Sequence, residues 1–175
     1  MMTTTKAKAR HDLEIDRLLE GAARTVKTVH YCWLVTTTDA GGLRTRPMGR
    51  LMHDPGEDPW RIRFVTDGRS AKAADLRRGG EVALVFQHDA SDALGAAYLT
   101  LMGQATLQTE ASEVKRRWKT GYDAYFPTDE DRANAVFVEI DVERMDLWIK
   151  GVTPEPFGLK TTTLERNADG WRMAG

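Results

Sequence analysis

The sequence predicts a mainly β, α+β domain: a barrel of about six antiparallel strands with helices packed outside. Three observations carry this. Short runs rich in β-branched and aromatic residues are separated by Gly, Pro, Asn and Asp clusters, only two stretches show substantial helical spacing, and no repeat or long linker divides the chain. A length of 175 residues suits one domain, 1–175, and 41% hydrophobic with 29% charged residues is ordinary for a globular protein. Lys+Arg 25 against Asp+Glu 26 gives a formal net charge of −1, which argues against nucleic acid or an anionic membrane as a bulk partner. The single cysteine, Cys32, excludes an intramolecular disulfide, and no apolar run matches a membrane span or the core of a signal peptide, so the chain reads as cytoplasmic.

Taken in order, residues 1–9 are polar and read as a flexible terminus, and residues 10–27 as a helix. In that helix Ile15, Leu18, Leu19, Ala22 and Val26 share one face, and Asp12 suits the positive end of the dipole. A strand over 29–38 and the turn Asp39-Ala40-Gly41-Gly42 lead into a second strand over 43–53, forming a hairpin. The turn-rich segment 54–59 joins this to a run over 60–66, read as a further hairpin, after which Asp67-Gly68 bends into a short helix that Gly79-Gly80 stops. An apolar strand at 81–87, a loop at 89–95 and a long strand at 96–107 follow, with Gly103 marking a bulge. A second helix is predicted with Ser112 as cap and with Val114, Arg117, Trp118, Tyr122 and Tyr125 on one mixed aromatic face, ending before a new turn at 128–131. Residues 136–150 form the last long strand, with Val136, Val138 and Ile140 on one side and Trp148 near its end. In the tail, 151–175, the turn at 167–170 either joins two short strands or simply trails.

Candidate chemistry centres on 43–76. Arg44 and Arg46 lie two residues apart and point to one face of a strand, while Ser70 and Lys72 begin the following helix. Guanidinium, ammonium and hydroxyl groups together suit a phosphate, although cations at such places are commonly solvated surface residues. His11, His30, His53 and His88 show no metal-ligand spacing, so no metal site is expected. His88, ending its strand, is the histidine weighed as a neighbour of a bound ring, and Cys32, between Tyr31 and Trp33, reads as a buried inert thiol. No GxSxG, GxxxxGK[ST] or GxGxxG motif supports a hydrolase, P-loop or Rossmann reading.

The run RPM at Arg46-Pro47-Met48, followed by FVTDGxSxKAxxL from Phe64 to Leu76, resembles the FMN-binding split β-barrel of the pyridoxamine 5′-phosphate oxidase superfamily, and more closely its small general stress protein branch. The resemblance spans about residues 30–150. It implies that Arg46 and Lys72 hold the FMN phosphate with help from Ser70, that Pro47 and Met48 lie along the flavin, and that Val65 and Thr66 reach it. It further implies a homodimer in which Gln87 or the late aromatic Trp148 approaches the flavin at the subunit boundary. Where the oxidases carry Arg-Lys after the serine, this chain has Ala71-Lys72, which leaves open whether Arg44 supplies the missing cation. FMN is the implied cofactor, with FAD as an option and a nicotinamide nucleotide as a candidate electron donor. The chain ends GWRMAG, without the basic motif that holds the substrate phosphate in the true oxidases, so pyridoxal phosphate synthesis is not expected. A flavin-dependent oxidoreductase, a non-catalytic flavin-binding stress protein and a deazaflavin-dependent reductase remain. No catalytic acid or base stands out.

Overall fold

Two long strands set the architecture. β5 (Ala97–Gln108) and β6 (Ala135–Ile149) pair antiparallel, and the other strands add to this ribbon. On the β5 side come β4 (Glu81–His88), β1 (Tyr31–Thr37) and β2 (Leu43–Gly49). β3 (Arg61–Asp67) pairs the first half of β6, while β7 (Thr162–Asn167) and then β8 (Gly170–Met173) extend from its second half. The computed structural model describes residues 2–89 and 95–174, with side chains described from residue 10 onward; most of the predicted 89–95 loop, residues 90–94, lies outside them. Among the described residues there is one antiparallel sheet of eight strands, more than the sequence signalled, and its edges do not join. The barrel is split and not closed.

The strand periods explain the core. Along β4 and β5, alternate residues such as Leu84, Phe86, Leu99 and Leu101 are fully buried, as a sheet with one covered face requires. The first half of β6 is buried on both faces. Val138, Ile140 and Val142 enter the main core, whereas Ala135 and Phe137 point the other way into a second cluster with Val114 and Phe126. Gly103 sits where the β5–β6 register shifts: a Cβ there would stand 1.9 Å from the Asp141 carbonyl oxygen, so only glycine permits the bulge that bends the ribbon.

α1 (Met2–Thr28) lays Ile15, Leu18, Ala22 and Val26 on the main core. Its backbone is helical from Met2, through the segment expected to be a flexible terminus, so Asp12 lies well inside it and not at its dipole end. Its C-terminal carbonyls meet the buried guanidinium of Arg50, whose Nε donates to Val26 O (2.7 Å) and Nη2 to Lys27 O (2.8 Å). No helix among the described residues is long and apolar enough to cross a membrane.

Three local expectations are corrected. β2 ends at Gly49, because its partner β1 begins at Tyr31 and leaves residues 50–53 with no ladder. β2 and β3 do not form a hairpin; β3 is taken by β6, and a single backbone bond, Leu51 N–H to Arg63 O at 2.8 Å, bridges the gap. The second helix is broken. α3 (Ala111–Arg117) has Glu110, not Ser112, at its cap position, and Trp118 turns extended before a 3₁₀ turn at Thr120–Ala124. Trp118 then meets Tyr122 and Phe126 edge-on at 5.6 and 5.5 Å, but Tyr125 is 71% exposed and not part of that face. The acidic turn after Pro127 is itself a helix, α4 (Asp129–Ala133), closed by a reciprocal Thr128–Asp131 cap. The turn at 167–170 does join two strands, β7 and β8.

Candidate functional site

A cavity of about 550 Å³ opens between the end of β2, the end of β3, the start of α2 (Ala71–Arg77) and the 3₁₀ turn. That volume lies in the range of small-molecule and cofactor pockets, roughly 300–1,000 Å³. Of the residues singled out in the sequence, Pro47, Met48, Val65, Thr66 and Lys72 line it. Met48 and Thr66 are buried and Val65 half-buried, because β2 and β3 direct alternate residues inward.

Lys72 is one of three cations of this wall, with Arg50 and Lys119. Its Nζ lies 3.0 Å from Met48 Sδ, and burial, with Arg46's charge added, pushes its pKa down. Among the described residues it makes no ion pair with a carboxylate. Arg46 is half-buried beside it, held by Nη2 on Asp75 Oδ2 at 2.7 Å, while its Nη1 is buried with no hydrogen-bond partner. An orphaned charged donor of this kind costs about 1–3 kcal/mol unless a ligand satisfies it. Ser70 caps α2 by accepting from Ala73 N–H at 3.2 Å, which leaves its own O–H available to donate.

Arg46 and Ser70 themselves do not line the cavity, and the other predicted residues lie farther off. Arg44 does not line the cavity; it spends its Nη1 on Asp75 at 3.1 Å and is exposed. Gln87 and Trp148 flank Tyr98 in one cross-strand row on the outward face of the sheet, apart from the cavity of their own chain.

Sequence reasoning missed several wall residues. His30, not His88, borders the cavity, its ring edge-on to Tyr31 at 4.7 Å. The β1–β2 register, which sets Tyr31 opposite Gly49, was the signal that would have placed it beside Pro47 and Met48. Tyr122 and Tyr125 arrive from the 3₁₀ turn, and burial pushes the Tyr122 phenol up, so it stays a neutral donor. Arg50, buried at 4%, forms part of the wall as well. Cys32 is the inert thiol expected: burial pushes it up to about 11 against the pull of Arg50, and its Sγ approaches Met48 O at 3.7 Å.

A smaller cavity of about 210 Å³ shares Leu51, Met52, Lys119 and Tyr122 with the first. Its cations are paired: Arg63 with Glu57 at 2.6 Å, Lys119 with Asp54 at 3.0 Å and Arg117 with Glu139. Among the described residues no group of His, Cys, Asp or Glu is placed to hold a metal.

The chain is thus a split antiparallel barrel with a half-open cavity at whose edge Lys72 has no carboxylate partner among the described residues. A family model described as pyridoxamine 5′-phosphate oxidase like matches residues 19–162, and the chain belongs to that family. No curated protein matches it in sequence. Among solved structures it is similar to a Clostridium acetobutylicum protein related to general stress protein 26 of B. subtilis, at TM-score 0.63 and 19% identity over 85% of this chain and 93% of that one. It is likewise similar to a general stress FMN/FAD binding protein from Xanthomonas citri, at TM-score 0.61 and 20% identity over 83% and 96%. A pyridoxamine 5′-phosphate oxidase-related, FMN binding protein from Nostoc punctiforme gives TM-score 0.60 and 18% identity over 91% and 93%. At these identities the likeness is one of fold.

Proposed function

We propose that this chain is a flavin-binding protein that takes FMN in the 550 Å³ cavity and works as a homodimeric, flavin-dependent oxidoreductase with a stress-related role. One observation carries the reading: among the described residues Lys72 has no carboxylate partner, and it stands beside the unsatisfied Nη1 of Arg46, next to a cavity walled by Pro47, Met48, Val65 and Thr66. A phosphate supplies the missing charge, and an isoalloxazine ring suits the apolar wall. Ser70 O–H adds a further donor, while Arg44, exposed and away from the cavity, is not assigned to the phosphate.

Bound flavin would supply the electron transfer; the chain's own residues bind, orient and exclude water. Burial of Met48 and Thr66 keeps that part of the wall dry, and His30 and Tyr122 are among the side chains of the wall able to hold a proton near a bound ring. The adjoining smaller cavity gives a second substrate, such as a reduced nicotinamide, a place of approach.

The dimer reading rests on the outward face of the sheet. Pro47, Trp33 and Val85 lie in one cross-strand row, Trp33 is 51% and Tyr31 61% exposed, and Tyr31 and Pro47 also border the cavity. An aromatic face continuous with a cofactor cavity is a natural seat for a second copy, whose Gln87 or Trp148 would then approach the flavin.

The deciding experiment is the absorbance spectrum of the purified protein in the flavin bands before and after FMN, followed by NAD(P)H oxidation. Flavin binding without turnover supports the second reading, a non-catalytic flavin-binding stress protein. No flavin uptake defeats both, and uptake of a deazaflavin alone would assign a deazaflavin-dependent reductase.

A further inference from the structure

We propose that Asp75 is a positioning residue for the phosphate cations, holding Arg46 by one nitrogen so that the other stays presented beside Lys72. The inference deepens the flavin reading above and rests on it.

The carboxylate is only 4% exposed and saturated with donors. Its Oδ2 accepts from Arg46 Nη2 at 2.7 Å, Arg44 Nη1 at 3.1 Å and Thr36 Oγ1 at 3.1 Å, and its Oδ1 accepts from Arg78 Nη2 at 2.7 Å. Thr36 belongs to β1, Arg44 and Arg46 to β2, and Asp75 to α2. One carboxylate therefore ties the β1–β2 hairpin to the helix that carries Lys72, which sets where Arg46 stands relative to that ammonium.

Among the described residues Arg46 Nη1 is buried with no hydrogen-bond partner, and the neighbouring Lys72 Nζ meets the Met48 thioether and no carboxylate. Two like charges held together with one guanidinium nitrogen unsatisfied make sense where a doubly charged anion completes them, and Asp75 offsets their repulsion until it arrives.

Without the carboxylate, Arg44, Arg46 and Arg78 repel one another, and the side chain of Arg46 must be ordered when the anion binds. Ordering one such side chain costs about tenfold in affinity. Simple Coulomb attraction predicts the opposite sign, since removing a negative charge near a phosphate should tighten binding. The two accounts are separable.

The test measures dissociation constants for FMN and for riboflavin with the wild type, Asp75→Asn and Arg78→Ala. Positioning predicts that Asp75→Asn weakens FMN about tenfold more than riboflavin, whereas Arg78→Ala, which leaves Arg46 on Asp75, keeps the ratio. Tighter or unchanged FMN binding by Asp75→Asn, or equal loss of both ligands, overturns the proposal. A second readout needs no flavin: in side-chain NMR, Arg46 should show separate, slowly rotating guanidinium nitrogens that shift on adding inorganic phosphate and that average in Asp75→Asn. If the wild type binds no flavin, the flavin reading fails while this spectrum still decides about Asp75. If Asp75→Asn does not fold, the wild-type spectrum decides: freely rotating Arg46 nitrogens, or no response to phosphate, overturn the inference.

Discussion

The ammonium of Lys72 stands 3.0 Å from the sulfur of Met48, so the cation proposed to take a phosphate sits in the apolar wall of its own cavity. Burial first, and Arg46 second, lower its pKa; the unfolded chain therefore binds the proton more readily, and stability rises with pH between the lowered value and the ordinary one near about 10.4. Lys72→Met should accordingly raise the melting temperature at pH 7. The same change, or Arg46→Ala, should weaken FMN about a hundredfold and leave riboflavin nearly unchanged, since a charged hydrogen-bond partner of the phosphate is gone. Calorimetric titration of both ligands checks this, and equal losses would remove the phosphate assignment.

Gly103→Ala should destabilise the fold by about 3 kcal/mol in urea denaturation, because overpacking against backbone has no inexpensive relief. The added methyl would meet Asp141 O at 1.9 Å and Asp141 C at 2.8 Å, neither of which can swing aside as a side chain does. Gly121→Ala is the control. Nothing lies within 4 Å of its Cβ position, so it should change stability little.

These two sites show what the sequence made legible. Gly103 was readable as a bulge because a lone glycine interrupts an alternating strand, and Lys72 and Met48 were readable because they sit in a compact local motif. The role of Asp75 was not readable. An acidic residue on a short helix looks solvated, and only the β1–β2 register brings Thr36, Arg44 and Arg46 over it. The β2–β3 connection misled for the same reason: a turn-rich segment between two strands looks like a hairpin, and the partner that takes β3 lies on β6, much later in the chain. Trp118 broke its helix because burying the ring against Phe126 and donating Nε1 to Asp123 at 2.9 Å outweighed helical periodicity.

Acid should act on Asp75 only well below the ordinary carboxylate range. The Arg46 and Arg78 guanidiniums keep it well below the usual range, so its stabilising charge is fully present above about pH 4 and is lost only as pH falls through the lower folded value. The stability gap between wild type and Asp75→Asn should thus be constant from pH 5 to 7 and narrow only below about pH 4, as read by denaturation at each pH. A gap that closes between pH 5 and 7 would contradict the assignment of that charge.

Trp33→Glu should separate the proposed dimer without unfolding the barrel. Trp33 is 51% exposed in the single chain and lies opposite Pro47 and Val85, so a charge there costs little in a monomer and a great deal inside an apolar interface. Light scattering at low micromolar concentration should give a dimer for the wild type and a monomer for the variant, with unchanged circular dichroism. A wild-type monomer that still binds flavin would end the dimer reading.

The chain should not make pyridoxal phosphate. A phosphorylated substrate needs a cationic cradle separate from the one proposed for FMN, because each doubly charged group requires its own partners. The cations after Lys150 do not supply one: Arg166 donates to Asp58 at 2.7 Å, Arg172 donates to Glu165 at 3.1 Å, and Lys160 is exposed. Arg44 is held by Asp75, and Arg50 spends Nε and Nη2 on the last carbonyls of α1. The positions from which a substitute cradle would be drawn are therefore engaged. Protein loaded with FMN and incubated in air with pyridoxamine 5′-phosphate should give no pyridoxal phosphate or peroxide above a free-FMN control. Turnover near the usual enzymatic range, about one per second or faster, would mean that the paired cations of the smaller cavity, Arg63, Arg117 and Lys119, release their acids to take the substrate phosphate.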